Sequence, residues 1–225
     1  MGMSASDKIR KGLFRMQGLF ISMEGPDGAG KSTQIELLRG YLADKGYEIV
    51  ITREPGGTVI SEAIRQLILN REYVEMCPNT ELLLYAAARA QLVNEVIRPA
   101  LEAGKAVICD RFVESSVVYQ GIARGMGIDT VYAVNEYALE GLRPQLTILL
   151  DLDAEEGLRR KKNQAELDRM EAAGLEFHRK VAEGYRMLAE REKERIMKIS
   201  ATLPEEDIHA KIVLAIEERI LNRYN

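Results

Sequence analysis

The segment Gly25-Pro26-Asp27-Gly28-Ala29-Gly30-Lys31-Ser32 sets three glycines, a lysine and a hydroxyl at spacings suited to holding phosphate. Glycine lets the backbone curl until several N–H groups converge on phosphate oxygens, and a following helix N-terminus adds partial positive charge. Lys31 is expected to reach the β- and γ-phosphates of a nucleoside triphosphate. Ser32 is expected to supply a hydroxyl to Mg2+, with Thr33 beginning the helix proper. An apolar run at 19–24 precedes the loop and a helical pattern follows it, which is the strand–loop–helix context this chemistry requires. A ligand-free glycine turn is the alternative, and motif and context together disfavour it.

Two further apolar runs end in charged residues. Asp110-Arg111-Phe112 closes one, placing an acid to support hydrated Mg2+ and a cation to neutralise the transferring group. A structural salt bridge at a strand end would give the same residues. The other ends in Arg53-Glu54-Pro55-Gly56-Gly57-Thr58, where Arg53 can grip a phosphate bidentately or the turn can simply join strand to helix. The N-K-x-D guanine-reading segment is absent, as is the pairing of H-R-D with D-F-G. His178 and His209, the two histidines, lack neighbours at metal-ligand spacing and read as ordinary helix-surface residues, so no zinc site is expected.

The elements that must position these residues alternate. Strands are expected at 19–24, 48–52, 106–109, 146–150 and 195–199. Helices are expected at 30–45, 58–69, 79–103, 113–123, 129–141, 154–163, 171–193 and 205–222. Near-continuous apolar strands between helices predict a parallel sheet covered on both faces, a three-layer α/β/α fold. The 225 residues suffice for one core, with 46% hydrophobic and 29% charged residues typical of a globular chain. A net charge of −4 argues against polymeric nucleic acid as partner. No apolar stretch approaches the roughly 20 residues that span a bilayer, so no membrane partner is expected. Cys109, in an apolar run, reads as a buried reduced thiol, and a cytoplasmic setting is expected. Residues 1–17 lack a long apolar segment and read as an N-terminal extension. The basic run 159–164 suggests a mobile lid or a solvated helix end.

Taken in order, the phosphate loop, Arg53-Glu54-Pro55-Gly56-Gly57-Thr58, Tyr85-Ala86-Ala87-Ala88-Arg89 and Asp110-Arg111-Phe112 resemble the bacterial thymidylate kinases. The resemblance runs from about Leu19 to the C-terminus. It includes Ser115-Ser116-Val117-Val118-Tyr119-Gln120-Gly121, Gly141-Leu142-Arg143-Pro144 and Glu166-Leu167-Asp168-Arg169. It implies ATP- and Mg2+-dependent phosphorylation of dTMP by a cytoplasmic homodimer. The corresponding fold is a P-loop kinase domain at 18–225, with a five-stranded parallel sheet and a helical lid at about 159–170. The same resemblance puts Asp27 by the acceptor sugar and phosphate, Arg53 and Arg111 around that phosphate, and Tyr85 against the thymine. Arg89 and Ser116 would read the base, Tyr119 would crowd the sugar, and Arg143 would lie along the adenine of ATP. Without the resemblance, Tyr85 and Arg89, four apart on one helix face, would read as core packing.

Two departures alter these expectations. Gln164 stands where related lids often carry arginine, so Arg160, then Lys162 or Arg169, is expected to supply the lid cation. Gln145 replaces the acid that commonly follows Arg143-Pro144. Leu82, Leu83, Tyr85, Ala86, Ala90 and Val93 are candidates for the dimer face, or for packing on the sheet. Two competing readings are another acceptor, such as dUMP, which differs by one methyl group, and a regulatory ATP-binding module without acceptor turnover.

Overall fold

In the computed structural model, which describes residues 18–161 and 168–221, a five-stranded, wholly parallel sheet runs in the order β2-β3-β1-β4-β5. Its strands are β1 Leu19–Glu24, β2 Ile49–Arg53, β3 Ala106–Asp110, β4 Leu146–Asp151 and β5 Ile196–Ser200. The helices are α1 Lys31–Asp44, α2 Val59–Leu69, α3 Pro78–Leu92, α4 Arg98–Glu102, α5 Val113–Ser116, α6 Ile128–Leu139, α7 Ala154–Lys161, α8 Leu175–Arg191 and α9 Glu205–Arg219. Residues 1–17, Lys162, Gln164, Glu166 and Leu167, with the expectations placed on them, lie outside the described residues. No described helix is long and apolar enough to cross a membrane.

Period-two alternation on the strands feeds two cores. Leu19, Ile21 and Met23 of β1 face Leu38 and Leu42 of α1 and Ile212 and Ile216 of α9. On the opposite face Phe20 packs with Leu92, Val107 and Phe112, and Leu149 packs with Val181 and Leu188 of α8. Each fully buried aliphatic side chain contributes roughly 1.5–3 kcal/mol of transfer free energy, so these two layers hold the sheet rigid under its loops.

The expected long helix at 79–103 is interrupted. A π-helical turn, Val93–Ile97, links α3 to α4, and a second, Val117–Ala123, extends α5. Propensity carries no signal for such turns, because they follow from how neighbouring layers pack rather than from residue type. Of the two alternatives for the 79–103 helix, packing inside the protein holds for Leu82, Ala86 and Val93, which are buried in the core, while Leu83 is exposed.

Register aligns the carboxyl ends of the central strands: Asp110 pairs with both Met23 of β1 and Arg53 of β2. From β1 the chain crosses to β2 on one side, and from β3 it crosses to β4 on the other. The crevice therefore opens beyond β1 and β3, where the strand order reverses and open parallel sheets bind ligands.

Candidate active site

A cavity of about 700 Å³ lies at that edge. Asp27, Gly28, Gly30, Lys31, Ser32, Thr33, Arg53, Tyr85, Arg89, Asp110, Arg111, Ser116, Tyr119 and Arg160 all line it. Residues singled out from separate stretches of sequence thus converge on one space.

The phosphate loop leaves β1 at Gly25, whose φ of 137° and whose position against the Leu150 carbonyl, 2.4 Å from where a Cβ would sit, exclude any side chain. Gly28 has φ 80° and lies close to Gly157 of α7. Gly157 in turn must be glycine, because a Cβ there would sit 2.6 Å from the Asp27 carbonyl. No side chain caps α1, so its first N–H groups are left for an anion in the cavity. Lys31 is buried and donates to the carbonyls of Gly25 and Pro26, both at 3.2 Å. Burial pulls its ammonium pKa down, and the Arg111 charge adds to the effect.

Opposite the loop, Arg111 follows β3 with a left-handed φ of 69°, uncommon for a residue with a side chain. Its Nη2 donates to Asp27 Oδ1 at 2.7 Å, and its Nη1 donates to the Gly25 carbonyl at 3.0 Å and to Tyr185 Oη at 3.1 Å. The guanidinium also lies over the Tyr119 ring, 5.5 Å from its centroid. Asp110 Oδ1 is buried without a hydrogen-bond partner. Arg53 is more exposed and pairs with Glu62 at 2.9 Å.

Deeper in, Arg89 is 1% exposed and clamps Glu54, with Nη2 to Oε2 at 2.6 Å. It donates in addition to Asn135, Ser116 Oγ and the Phe112 carbonyl. Burial pushes the Glu54 carboxyl up to about 7 against the opposing pull of Arg89. Tyr85 lies one helical turn before Arg89, and burial raises its hydroxyl pKa.

Arg160 projects from α7 onto the phosphate loop, with Nη1 donating to the Gly28 carbonyl at 3.2 Å while Glu156 holds Nε at 2.8 Å. Arg169 is placed differently. It pairs with buried Glu81 at 2.7 Å and donates to the Ile68 carbonyl, which anchors it to α2 and α3 outside the cavity lining. Its expected service as a lid cation is therefore not carried forward.

Arg143 also needs correction. It precedes β4, and Gln145 N donates to the Phe20 carbonyl, so Arg143 stands at the amino edge of the sheet. Gly25 lies at the opposite edge, on the order of 20 Å away at ~3.3 Å per strand residue. Arg143 instead pairs with Glu136 and lies over Tyr132. His178 is buried rather than on a surface, with Nε2 3.1 Å from the Glu171 carbonyl oxygen. Among the described residues no cluster of three or more His, Cys, Asp or Glu side chains is set to hold a metal.

Several cavity-lining residues carried no sequence signal as site residues: Glu54, Arg65, Leu69, Gln120, Asp168 and Met170. Glu24, the last residue of β1, was read only as strand. It is fully buried beneath Arg111 and accepts from Phe112 N, Ser115 Oγ and Tyr185 Oη at 2.7–2.8 Å. Burial raises its carboxyl to about 7, with the neighbouring charge of Glu114 adding and Arg111 opposing.

A family model described as thymidylate kinase matches residues 23–212. A thymidylate kinase of Geobacillus thermodenitrificans is 51% identical over 207 residues, covering 91% of this chain and 92% of its own length. One from Deinococcus radiodurans is 46% identical, covering 90% and 98%. Among solved structures, thymidylate kinase from Ehrlichia chaffeensis superposes with a TM-score of 0.72 at 29% identity, covering 89% of this chain and 98% of its own.

Proposed function

The chain belongs to the thymidylate kinase family and phosphorylates dTMP with ATP, and from that premise we propose which side chains carry out each part of the transfer. ATP phosphates lie on residues 25–33, with Lys31 swinging from its loop carbonyls onto the β- and γ-oxygens. The acceptor phosphate lies between Arg53 and Arg111, and Asp27 orients the Arg111 guanidinium toward it. Tyr85 stacks on the thymine, Arg89 and Ser116 face its polar edge, and the Tyr119 ring crowds the sugar. Arg160, already touching the loop, neutralises charge on the transferring group. No side-chain nucleophile is required, because alignment and electrostatic stabilisation in a water-poor cavity supply the rate.

The residues fit Mg2+. Asp110 lines the cavity and its buried Oδ1 has no hydrogen-bond partner, Ser32 lies in the first turn of α1, and few protein ligands suit an ion that keeps waters and binds substrate phosphates. When bound, Mg2+ would neutralise charge on the phosphates; Ser32 and Asp110 would hold it.

The single observation that carries the reading is one cavity with a phosphate loop on one wall and Arg111 and Arg53 on the other. ADP release measured with dTMP, dUMP, dCMP, dGMP and UMP as acceptors tests it. Preferential dTDP formation is expected, because loss of the thymine methyl costs about 1–3 kcal/mol in a fitted pocket. Equal rates with dUMP would contradict a fitted contact to the thymine methyl, and equal rates with dCMP would contradict the base-reading roles.

A homodimer belongs to the same proposal. Ile60 and Leu67 of α2, Leu83 of α3 and Tyr137 of α6 are 53%, 45%, 59% and 91% exposed on three neighbouring helices, and apolar side chains grouped on one face suit a second copy. Sedimentation should find a species of twice 25.3 kDa, and Leu83→Glu should halve it. A cytoplasmic setting fits the free thiols of Cys77 and Cys109. We also treat 18–225 as the kinase domain, with its lid at about 159–170 and residues 1–17 as an extension.

A further inference from the structure

Tyr185 sits on α8, outside the residues that line the cavity, yet its hydroxyl reaches the centre of the site. It is 2% exposed, and its ring packs edge-to-face on Tyr119, 6.3 Å between centroids. Its Oη donates to Glu24 Oε2 at 2.8 Å, lies 2.8 Å from Ser115 Oγ, and accepts from Arg111 Nη1 at 3.1 Å. Packing alone does not require this oxygen. A phenylalanine would fill the same space, and a buried hydroxyl must recover the cost of leaving water through partners.

The partners have a direction. Glu24 is an acceptor and draws the Tyr185 proton, which leaves the oxygen lone pairs turned toward Arg111. Arg111 is then held at both ends of its fork, Nη2 by Asp27 and Nη1 by Tyr185 and the Gly25 carbonyl. A planar guanidinium fixed at two nitrogens cannot rotate about its long axis, and orientation of the fork decides whether it meets a phosphate bidentately. Its backbone, in the left-handed region, gives it no regular-element support of its own.

We propose that Tyr185 is a positioning residue for phosphoryl transfer, acting through Arg111, with Glu24 and Ser115 setting the direction of its hydroxyl. The proposal rests on the acceptor-phosphate role given to Arg111 above. It also makes α8, the helix that follows the lid segment, a contributor to acceptor binding without touching the acceptor.

The test compares Tyr185→Phe, Leu188→Ala, Arg111→Lys and the double variant Arg111→Lys/Tyr185→Phe in steady-state assays with dTMP and ATP, alongside thermal unfolding. Leu188 is a buried core residue of the same helix, in one apolar cluster with Leu149 and Val181. Tyr185→Phe should lower kcat/KM for dTMP about tenfold, leave KM for ATP within twofold and lower Tm less than Leu188→Ala does. Leu188→Ala should keep kcat/KM within twofold. In the Arg111→Lys background the tyrosine change should add less than twofold. Tyr185→Phe kinetics within twofold of the unaltered enzyme, beside a damaged Arg111→Lys, would sink the inference and leave the Arg111 assignment standing. So would fully multiplicative losses in the double variant, or an equal rise in KM for ATP. Unaltered kinetics in Arg111→Lys would instead remove the premise.

Discussion

The two walls of the cavity are built by different means. The donor wall is one continuous segment, Gly25 to Thr33, and its binding groups are largely backbone N–H at the start of α1. The acceptor wall is assembled from the ends of β2 and β3 and from α3 and α5, with α8 behind it, and its binding groups are side chains. The three arginines assigned to the acceptor are already paired with carboxylates: Arg53 with Glu62, Arg89 with Glu54, Arg111 with Asp27. A backbone cradle is rigid as folded. A side-chain wall needs partners to hold each guanidinium in place, and those partners belong to the site as much as the arginines do.

This contrast predicts a graded series. Lys31→Ala removes the buried ammonium of the phosphate loop, and kcat should fall on the order of a thousandfold with the fold retained, as circular dichroism would check. Arg53→Ala should raise KM for dTMP roughly thirtyfold, the scale of a charge-assisted hydrogen bond, and leave KM for ATP within twofold. A matching rise in KM for ATP would erase the division between the walls.

Glu24 sharpens the contrast through pH. Its folded pKa, about 7, lies above the ordinary glutamate value of 4.5, so between those values the folded state keeps a proton the unfolded chain has lost. Its contribution to stability is fully present below about pH 4.5 and disappears as pH rises through about 7, on the order of 3 kcal/mol at most. Unfolding midpoints across pH 5–8 should therefore fall less steeply in Glu24→Gln than in the unaltered chain. Glu54 titrates in the same sense, so the slope should shrink rather than vanish. The smallest effect is expected from Arg143→Ala, which should leave KM for ATP unchanged; a tenfold rise would restore the adenine contact that the strand register rules out.

The same contrast explains what could be read in the sequence. Gly25–Ser32 is legible because its whole function is local: glycines, lysine and hydroxyl at fixed offsets between a strand and a helix. Strand ends were also legible, and Asp110 and Arg53 come into register because parallel strands carry their C-terminal residues to one edge. That argument, applied to Arg143, would have sent it to the other edge, since it precedes its strand. Glu54, Glu24 and Tyr185 were not legible as site residues, because a carboxylate under a guanidinium and a hydroxyl 161 residues from its acceptor are brought together only by the packing of three layers. For Leu82, Ala86 and Val93 the sequence leaves dimer face and sheet packing open for a related reason: a helix with two apolar faces does not announce which one meets the sheet.

The most direct test of a two-walled site is Arg111→Ala, examined by single-turnover phosphoryl transfer and by equilibrium binding of a non-hydrolysable ATP analogue. The account predicts a transfer rate lowered at least a hundredfold with analogue affinity within twofold. Transfer at the original rate, or analogue binding lost in step with it, would contradict the assignment of Arg111 to the acceptor wall.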